Sequence, residues 1–241
     1  MADEKLPAGR RAGNPAASTS KASDIDAFVR HARAFAPASG AGRLILALDA
    51  TMSRQPTWDM ASRLQGEMFD AVGKVGDLAV QLVYFRGYDE CRASKFVGDT
   101  SALTRLMSAI DCRAGPTQIG KVLSHALKEN AKGKVAALVY IGDAMEEEVD
   151  LLAGNAGDLG VRGVPVFIFQ EGRDPVAERA FREIARLSRG AWFRFDRSAA
   201  ATLARLLQAV AVFAAGGLKA LEARGGREDR LLLGHLKDGG N

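Results

Sequence analysis

Three short stretches of this 241-residue chain carry hard oxygen donors that a folded domain could gather around one point. The first is Asp49-Ala-Thr-Met-Ser53, which follows directly on the apolar run Arg43-Leu-Ile-Leu-Ala-Leu. Where a strand passes into a loop, positions 49, 51 and 53 can point the same way, placing a carboxylate and two hydroxyls around one point. The second stretch, Gly115-Pro-Thr-Gln-Ile-Gly, puts Thr117 at a helix start after a glycine turn. The third, Tyr140-Ile-Gly-Asp143, puts another carboxylate at the end of an apolar run. Carboxylates and hydroxyls are poor zinc ligands, but they suit Mg²⁺ or Mn²⁺, which take one or two carboxylates and keep positions for water or an incoming ligand. The first stretch by itself has a plainer reading, in which Asp49 and Ser53 only cap the helix that follows.

The elements around these stretches have to bring them together. Residues 43–49 and 134–143 read as strands buried on both faces, since neither run alternates with polar residues. Residues 77–85 form a further strand, 86–90 a turn, and 91–97 alternate as an antiparallel edge strand does. Apolar spacing predicts helices over 56–72, 100–110, 117–130, 146–159, 175–188 and 199–224, with strands over 164–169 and 191–195. The predicted class is therefore α/β: a doubly wound, mostly parallel sheet with one antiparallel edge strand and helices on both faces. Such sheets bind ligands beyond the carboxyl ends of their strands, where the strand order reverses. The domain is expected over 43–224. A flexible tail over 1–23 and a helix and linker over 24–42 precede it, and a Gly-rich, charged tail over 225–241 follows.

In order, spacing and interposed hairpin, the three stretches resemble those of the von Willebrand factor A (VWA) domain family over about residues 44–224. That family's metal-ion-dependent adhesion site (MIDAS) draws on an Asp-x-Ser-x-Ser loop, a threonine from a second loop and an aspartate after a later apolar strand. The resemblance carries Asp49, Thr51 and Ser53 onto the first loop, Thr117 onto the second and Asp143 onto the third. Thr51 stands where serine is frequent and keeps the hydroxyl with a stiffer χ1. Pro116 replaces a frequent glycine, which fixes φ there and leaves the Thr117 side chain free. The resemblance implies a VWA-like Rossmannoid that is not an enzyme. It implies an adaptor that binds Mg²⁺ (or Mn²⁺) and captures an Asp or Glu of a protein partner, in an assembly built around an ATPase or a chaperone. Met52 and Trp58 are candidates to flank the site. The alternative is the same fold with a degenerate, metal-free site, serving as a structural interaction module.

Composition narrows the other classes. With 47% hydrophobic and 26% charged residues, the chain can bury a core without disulfide or metal staples. Cys91 and Cys112 stand far apart and His31, His125 and His235 are scattered, which argues against zinc and iron–sulfur chemistry. No apolar leader and no bilayer-length run is present, so a cytoplasmic protein without a membrane partner is expected. The formal charge of +4 is made of interspersed signs, and 7% aromatic residues form no stacking motif, so the arginines over 173–197 do not make a nucleic-acid binder. Glu146-Glu-Glu148 could recruit a basic partner or a second cation, but reads more simply as first-turn acids complementing the dipole of their own helix. A phosphohydrolase with Asp49 as nucleophile would need a second carboxylate at position 51, where this chain has threonine. A dinucleotide fold would need a glycine-rich first loop, which is missing.

Overall fold

A computed structural model of the chain describes residues 42–54, 78–98, 100–195 and 200–224. The two tails, the helix expected over 24–36 and the helix expected over 56–72, with Trp58 in it, lie outside the described residues.

Within them, the apolar runs become strands because each is covered on both faces. β1 (Gly42–Asp49) pairs in parallel with β2 (Leu78–Arg86) on one side and with β4 (Ala137–Gly142) on the other. Beyond β4 lie β5 (Val166–Glu171) and β6 (Ala191–Phe195), also parallel. β3 (Glu90–Ala93) turns back antiparallel on β2 and forms one edge, so the sheet order is β3-β2-β1-β4-β5-β6. This is the predicted mostly parallel sheet with one antiparallel edge strand.

Strand alternation sorts the core into two layers. Leu44, Leu46 and Leu48 of β1 share one apolar cluster with Leu207, Val210 and Phe213 of α5 (Ala200–Arg224). Ile45 and Ala47 share the other with α2 (Ile119–Lys132), α3 (Val149–Val161) and α4 (Pro175–Leu187), through Val122, Leu159 and Phe181 among others. α1 (Thr100–Ser108) joins the α5 layer through Met107. Each wholly buried aliphatic or aromatic side chain contributes about 1.5–3 kcal/mol, which makes this double layer the main source of stability. Gly42 is required by close packing, since a Cβ there would lie 1.8 Å from the Ala214 carbonyl oxygen of α5.

Several boundaries differ from the sequence reading, each for a local reason. The edge strand stops at Ala93 instead of reaching 97, because Ser94 intervenes: its Oγ accepts from Leu82 N (3.0 Å) and donates to Lys95 O (2.7 Å). Pairing then resumes only as the isolated bridge Val80–Val97. α2 starts at Ile119, two residues after the expected 117, and α3 at Val149, three after the expected 146. α4 starts where expected, with Pro175 in its first turn and Asp174 Oδ1 accepting from Val176 N (2.7 Å) and Ala177 N (2.9 Å). No described helix is long and apolar enough to cross a membrane.

From β1 the chain builds outward through β2 and β3, then crosses back to continue through β4, β5 and β6. The strand order therefore reverses between β1 and β4, whose carboxyl ends are Asp49 and Gly142.

Candidate metal centre

Register decides which groups meet at that reversal. Leu48 pairs with Ile141, so Asp49 ends β1 beside Gly142, with Asp143 one residue further on. Neighbouring strands lie about 4.8 Å apart, which brings the two carboxylates to one edge of the sheet. Asp49 is wholly buried. Asp143 is half-buried, and its Oδ1 is inaccessible to water with no hydrogen-bond partner. Leaving such an oxygen unsatisfied costs about 1–3 kcal/mol, more when the group is charged, so a cation or donor brought to it is favoured.

The first loop folds back on Asp49. Thr51 N donates to Asp49 Oδ1 (2.8 Å), the local turn that aspartate side chains favour. Thr51 Oγ1 and Ser53 Oγ are 3.1 Å apart and hydrogen-bonded, with Thr51 buried and Ser53 exposed. The two hydroxyls at alternate positions do face each other. Met52 between them is 53% exposed, at the rim of this edge.

The second loop is strapped across the ends of β1 and β2. Arg113 N donates to Ala50 O (3.0 Å), and Gln118 Nε2 donates to Gly87 O (3.2 Å). Gly115 permits the crossing, since a Cβ there would lie 2.1 Å from Gly87 O. Beneath the strap, the buried Arg86 guanidinium pairs with Glu90 and Asp111 and donates to Asp111 O (2.7 Å). Its hydrogen bond to Glu90 raises the Arg86 pKa above the ordinary arginine value and holds the Glu90 carboxyl below the usual carboxylate range.

Thr117 sits buried at the end of this strap and is joined to the third loop twice. Its N–H donates to Glu146 Oε2 (3.1 Å), and its Oγ1 accepts from Glu146 N (3.1 Å). Glu147 then places Oε1 on Ile119 N (2.5 Å) and Oε2 on Gly120 N (2.8 Å). The acidic run thus precedes α3, contrary to the sequence reading, and two of its members serve the neighbouring helix α2. The physical reason lies in α2 itself, whose N-cap residue Gln118 makes no side-chain capping bond. Its first free N–H groups are met from across the site. Sequence rules look for a cap within three residues of a helix start, so a cap supplied from 27 or 28 residues away escapes them. The one signal available was the pairing of an uncapped helix start with a surplus of glutamates.

The donor set at this edge is all hard oxygen: two carboxylates and the hydroxyls of Thr51, Ser53 and Thr117. Among the described residues, no group of three or more Asp, Glu, His or Cys side chains could hold a metal ion. A cation here would rest on two carboxylates completed by hydroxyls and water, a set that fits Mg²⁺ and does not fit zinc.

No family model and no curated protein matches this sequence. Solved structures do. The SpRpn10 VWA domain aligns with a TM-score of 0.55 at 10% identity, over 72% of this chain and 95% of that domain. An aerotolerance-related membrane protein from Bacteroides fragilis aligns with a TM-score of 0.55 at 18% identity, over 70% of this chain and 99% of the other. A von Willebrand factor type A protein from Catenulispora acidiphila aligns with a TM-score of 0.57 at 15% identity, over 74% of this chain and 44% of the other. The sheet of this chain, with its antiparallel edge strand and flanking helices, is thus a VWA-type fold, as its sequence motifs implied.

Proposed function

We propose that this domain is a non-catalytic adaptor that holds Mg²⁺ or Mn²⁺ through Asp49, Thr51, Ser53, Thr117 and Asp143, and takes an Asp or Glu side chain of a protein partner as a further ligand. The observation that carries the reading is the buried, unpartnered Asp143 Oδ1 beside the end of β1, where the strand order reverses. An ion held by only two carboxylates is neutralised overall but not filled, since neutral hydroxyls and water complete its shell, and a third carboxylate can replace one of those weaker ligands. The chain's own part is to fix the donors. Thr51 N–H holds one Asp49 oxygen, Arg113 and Gly115 seat the second loop, and Glu146 ties Thr117 to the third. Met52 would add an apolar contact at the rim for the residue bearing the captured carboxylate. The SpRpn10 and Catenulispora domains share the fold, and a phosphohydrolase with Asp49 as nucleophile would need a second carboxylate at position 51, where this chain has threonine. The partner belongs, on this reading, to a larger cytoplasmic assembly of the ATPase- or chaperone-associated kind.

One observation favours the metal-free alternative. Thr51 and Ser53 already satisfy each other, and Thr117 Oγ1 already accepts a bond, so the hydroxyls have partners without an ion. Calorimetric titration of chelator-treated protein separates the two readings. The proposed site gives one saturable heat with Mn²⁺ or Mg²⁺, and partner capture from extract that disappears with chelator. No heat at about millimolar metal, the range of weak oxygen-ligand sites, together with chelator-insensitive capture, makes the metal-free module the correct one.

A further inference from the structure

The reciprocal bonds between Thr117 and Glu146 carry an inference beyond the donor set, one that rests on the metal reading above. We infer that Glu146 is a positioning residue, which orients the Thr117 hydroxyl as an oxygen donor and makes the second and third loops respond to an ion as one unit. Thr117 is buried at 6% exposure, yet its backbone N–H precedes α2 and has no helical partner. Glu146 Oε2 supplies that partner at 3.1 Å, while Glu146 N–H occupies one lone pair of Thr117 Oγ1 at 3.1 Å. A hydroxyl oxygen has two lone pairs, so the second stays available to a cation in a direction that the first bond fixes. Threonine is stiff at χ1, so this main-chain bond also selects the rotamer, and the Glu146 carboxylate keeps the Thr117 backbone where the bond can form. Glu146 lies three residues beyond Asp143, so the group that aims Thr117 belongs to the loop that bears the second carboxylate. Glu147 reinforces the joint through the two bonds to Ile119 and Gly120, leaving Glu146 to act on the threonine alone. Glu146 is itself solvent-exposed, so its removal opens no cavity.

The test measures Mn²⁺ affinity of the whole chain by calorimetry for wild type, Glu146→Ala, Glu146→Gln, Thr117→Ala and the double variant Thr117→Ala/Glu146→Ala. Outer-shell partners typically hold about 10–100-fold of metal affinity, and for a neutral hydroxyl ligand the lower end, about tenfold, is expected for Glu146→Ala. Glu146→Gln keeps an oxygen acceptor for Thr117 N–H and binds within about threefold of wild type, since the bond and not the charge does the positioning. The double variant binds no more weakly than Thr117→Ala, because the Glu146 carboxylate acts on the ion only by holding Thr117 in place. Equal losses in Glu146→Ala and Glu146→Gln overturn the inference in favour of a bare charge effect, and additive losses overturn it in favour of an independent role. Amide exchange of the metal-free protein supplies a readout that needs no ion: Thr117 N–H exchanges faster in Glu146→Ala than in Glu146→Gln. Wild-type protein that takes up no Mn²⁺ overturns the metal reading and the donor role of Thr117 with it. Wild-type protein that binds Mn²⁺ no better than Glu146→Ala overturns the positioning role alone.

Discussion

The two ends of the sheet treat a carboxylate in opposite ways. At the amino end, Glu129 of α2 is 7% exposed and completely matched, with Arg43 Nη2 at 3.0 Å from Oε2 and Lys132 Nζ at 2.7 Å from Oε1. The Lys132 hydrogen bond holds its carboxyl below the usual range. Nearby, Lys134 Nζ donates to the carbonyls of Arg162 (2.9 Å) and Gly163 (2.8 Å), closing the carboxyl terminus of α3. At the carboxyl end, Asp143 has no ion pair among the described residues, and its Oδ1 has no donor. The same fold that neutralises one carboxylate leaves the other open. Buried polar groups are normally satisfied, so on the function proposed above the orphan oxygen at the reversal of strand order marks the end at which this molecule meets its ion and partner.

The largest effects should follow from removing one carboxylate at each end. Asp143→Ala is expected to abolish Mn²⁺ binding and chelator-sensitive partner capture while leaving the unfolding midpoint of metal-free protein unchanged or slightly higher. Val139 and Ile141 of β4 keep their burial, and a like charge facing Asp49 is gone. Glu129→Ala should do the reverse. It leaves Arg43 with the Glu129 and Gly133 carbonyls and the Phe96 ring but no carboxylate, and costs about 1–3 kcal/mol, with metal affinity untouched. Denaturant titration and calorimetry on both variants check the pair. Metal-insensitive capture by Asp143→Ala, or loss of binding in Glu129→Ala, would erase the contrast between the ends.

An intermediate effect is expected at Glu147, which couples the two loops through α2 and not through the donors. Glu147→Ala uncovers Ile119 N and Gly120 N, and a lost cap costs about 0.5–2 kcal/mol. In a domain of this size that lowers the midpoint by about 2–4 °C per kcal/mol. Metal affinity should fall less than in Glu146→Ala, because the Thr117 bonds survive. An unchanged midpoint would show that water caps α2 equally well.

The fold was legible because its signals are local. The run 43–49 is apolar at both parities, Asp174-Pro175 announces a helix start, and the strand–helix alternation leaves few topologies. Loop one was legible in part: Thr51 and Ser53 do meet, but a 3-10 turn over Met52–Arg54, and not the extended backbone that the alternate spacing suggests, brings the two hydroxyls together. The bounds that shifted depend on distant partners. Ser94 ends β3 by bonding to Leu82, and Glu147 caps a helix that starts on the other side of the site. Neither pair is made by chain neighbours, since Leu82 and Ser94 are 12 residues apart and Ile119 and Glu147 are 28 apart. Trp58, read as a possible flank of the site, lies outside the described residues.

The smallest effect belongs to His125, which sits between the two ends on α2 and tests whether the middle of the molecule is electrostatically indifferent. Its Nε2 lies 2.9 Å from Gln81 Oε1, and Gln81 Nε2 donates to Ser94 O (2.9 Å), so the imidazole anchors the point where β3 breaks off. Burial lowers its pKa below the ordinary value, an effect that neighbouring Glu129 opposes and that Lys132 and Lys128 assist. A base with a lowered folded pKa takes up its proton in the unfolded chain first. Acidification through the ordinary histidine pKa of about 6.5 therefore favours unfolding, until the folded pKa is passed and the effect saturates. His125→Gln keeps an N–H donor near the Nε2 position and cannot titrate. Wild type should lose more thermal stability than His125→Gln between about pH 7.5 and 5.5, by a few degrees at most, with the two curves parallel above about pH 7.5, where both forms of the histidine are neutral. Scanning both proteins at matched ionic strength isolates the difference, since every other titrating group is common to the two. A wild type that gains stability relative to the variant on acidification would mean that Glu129 dominates and that the charge closure at the amino end extends as far as His125.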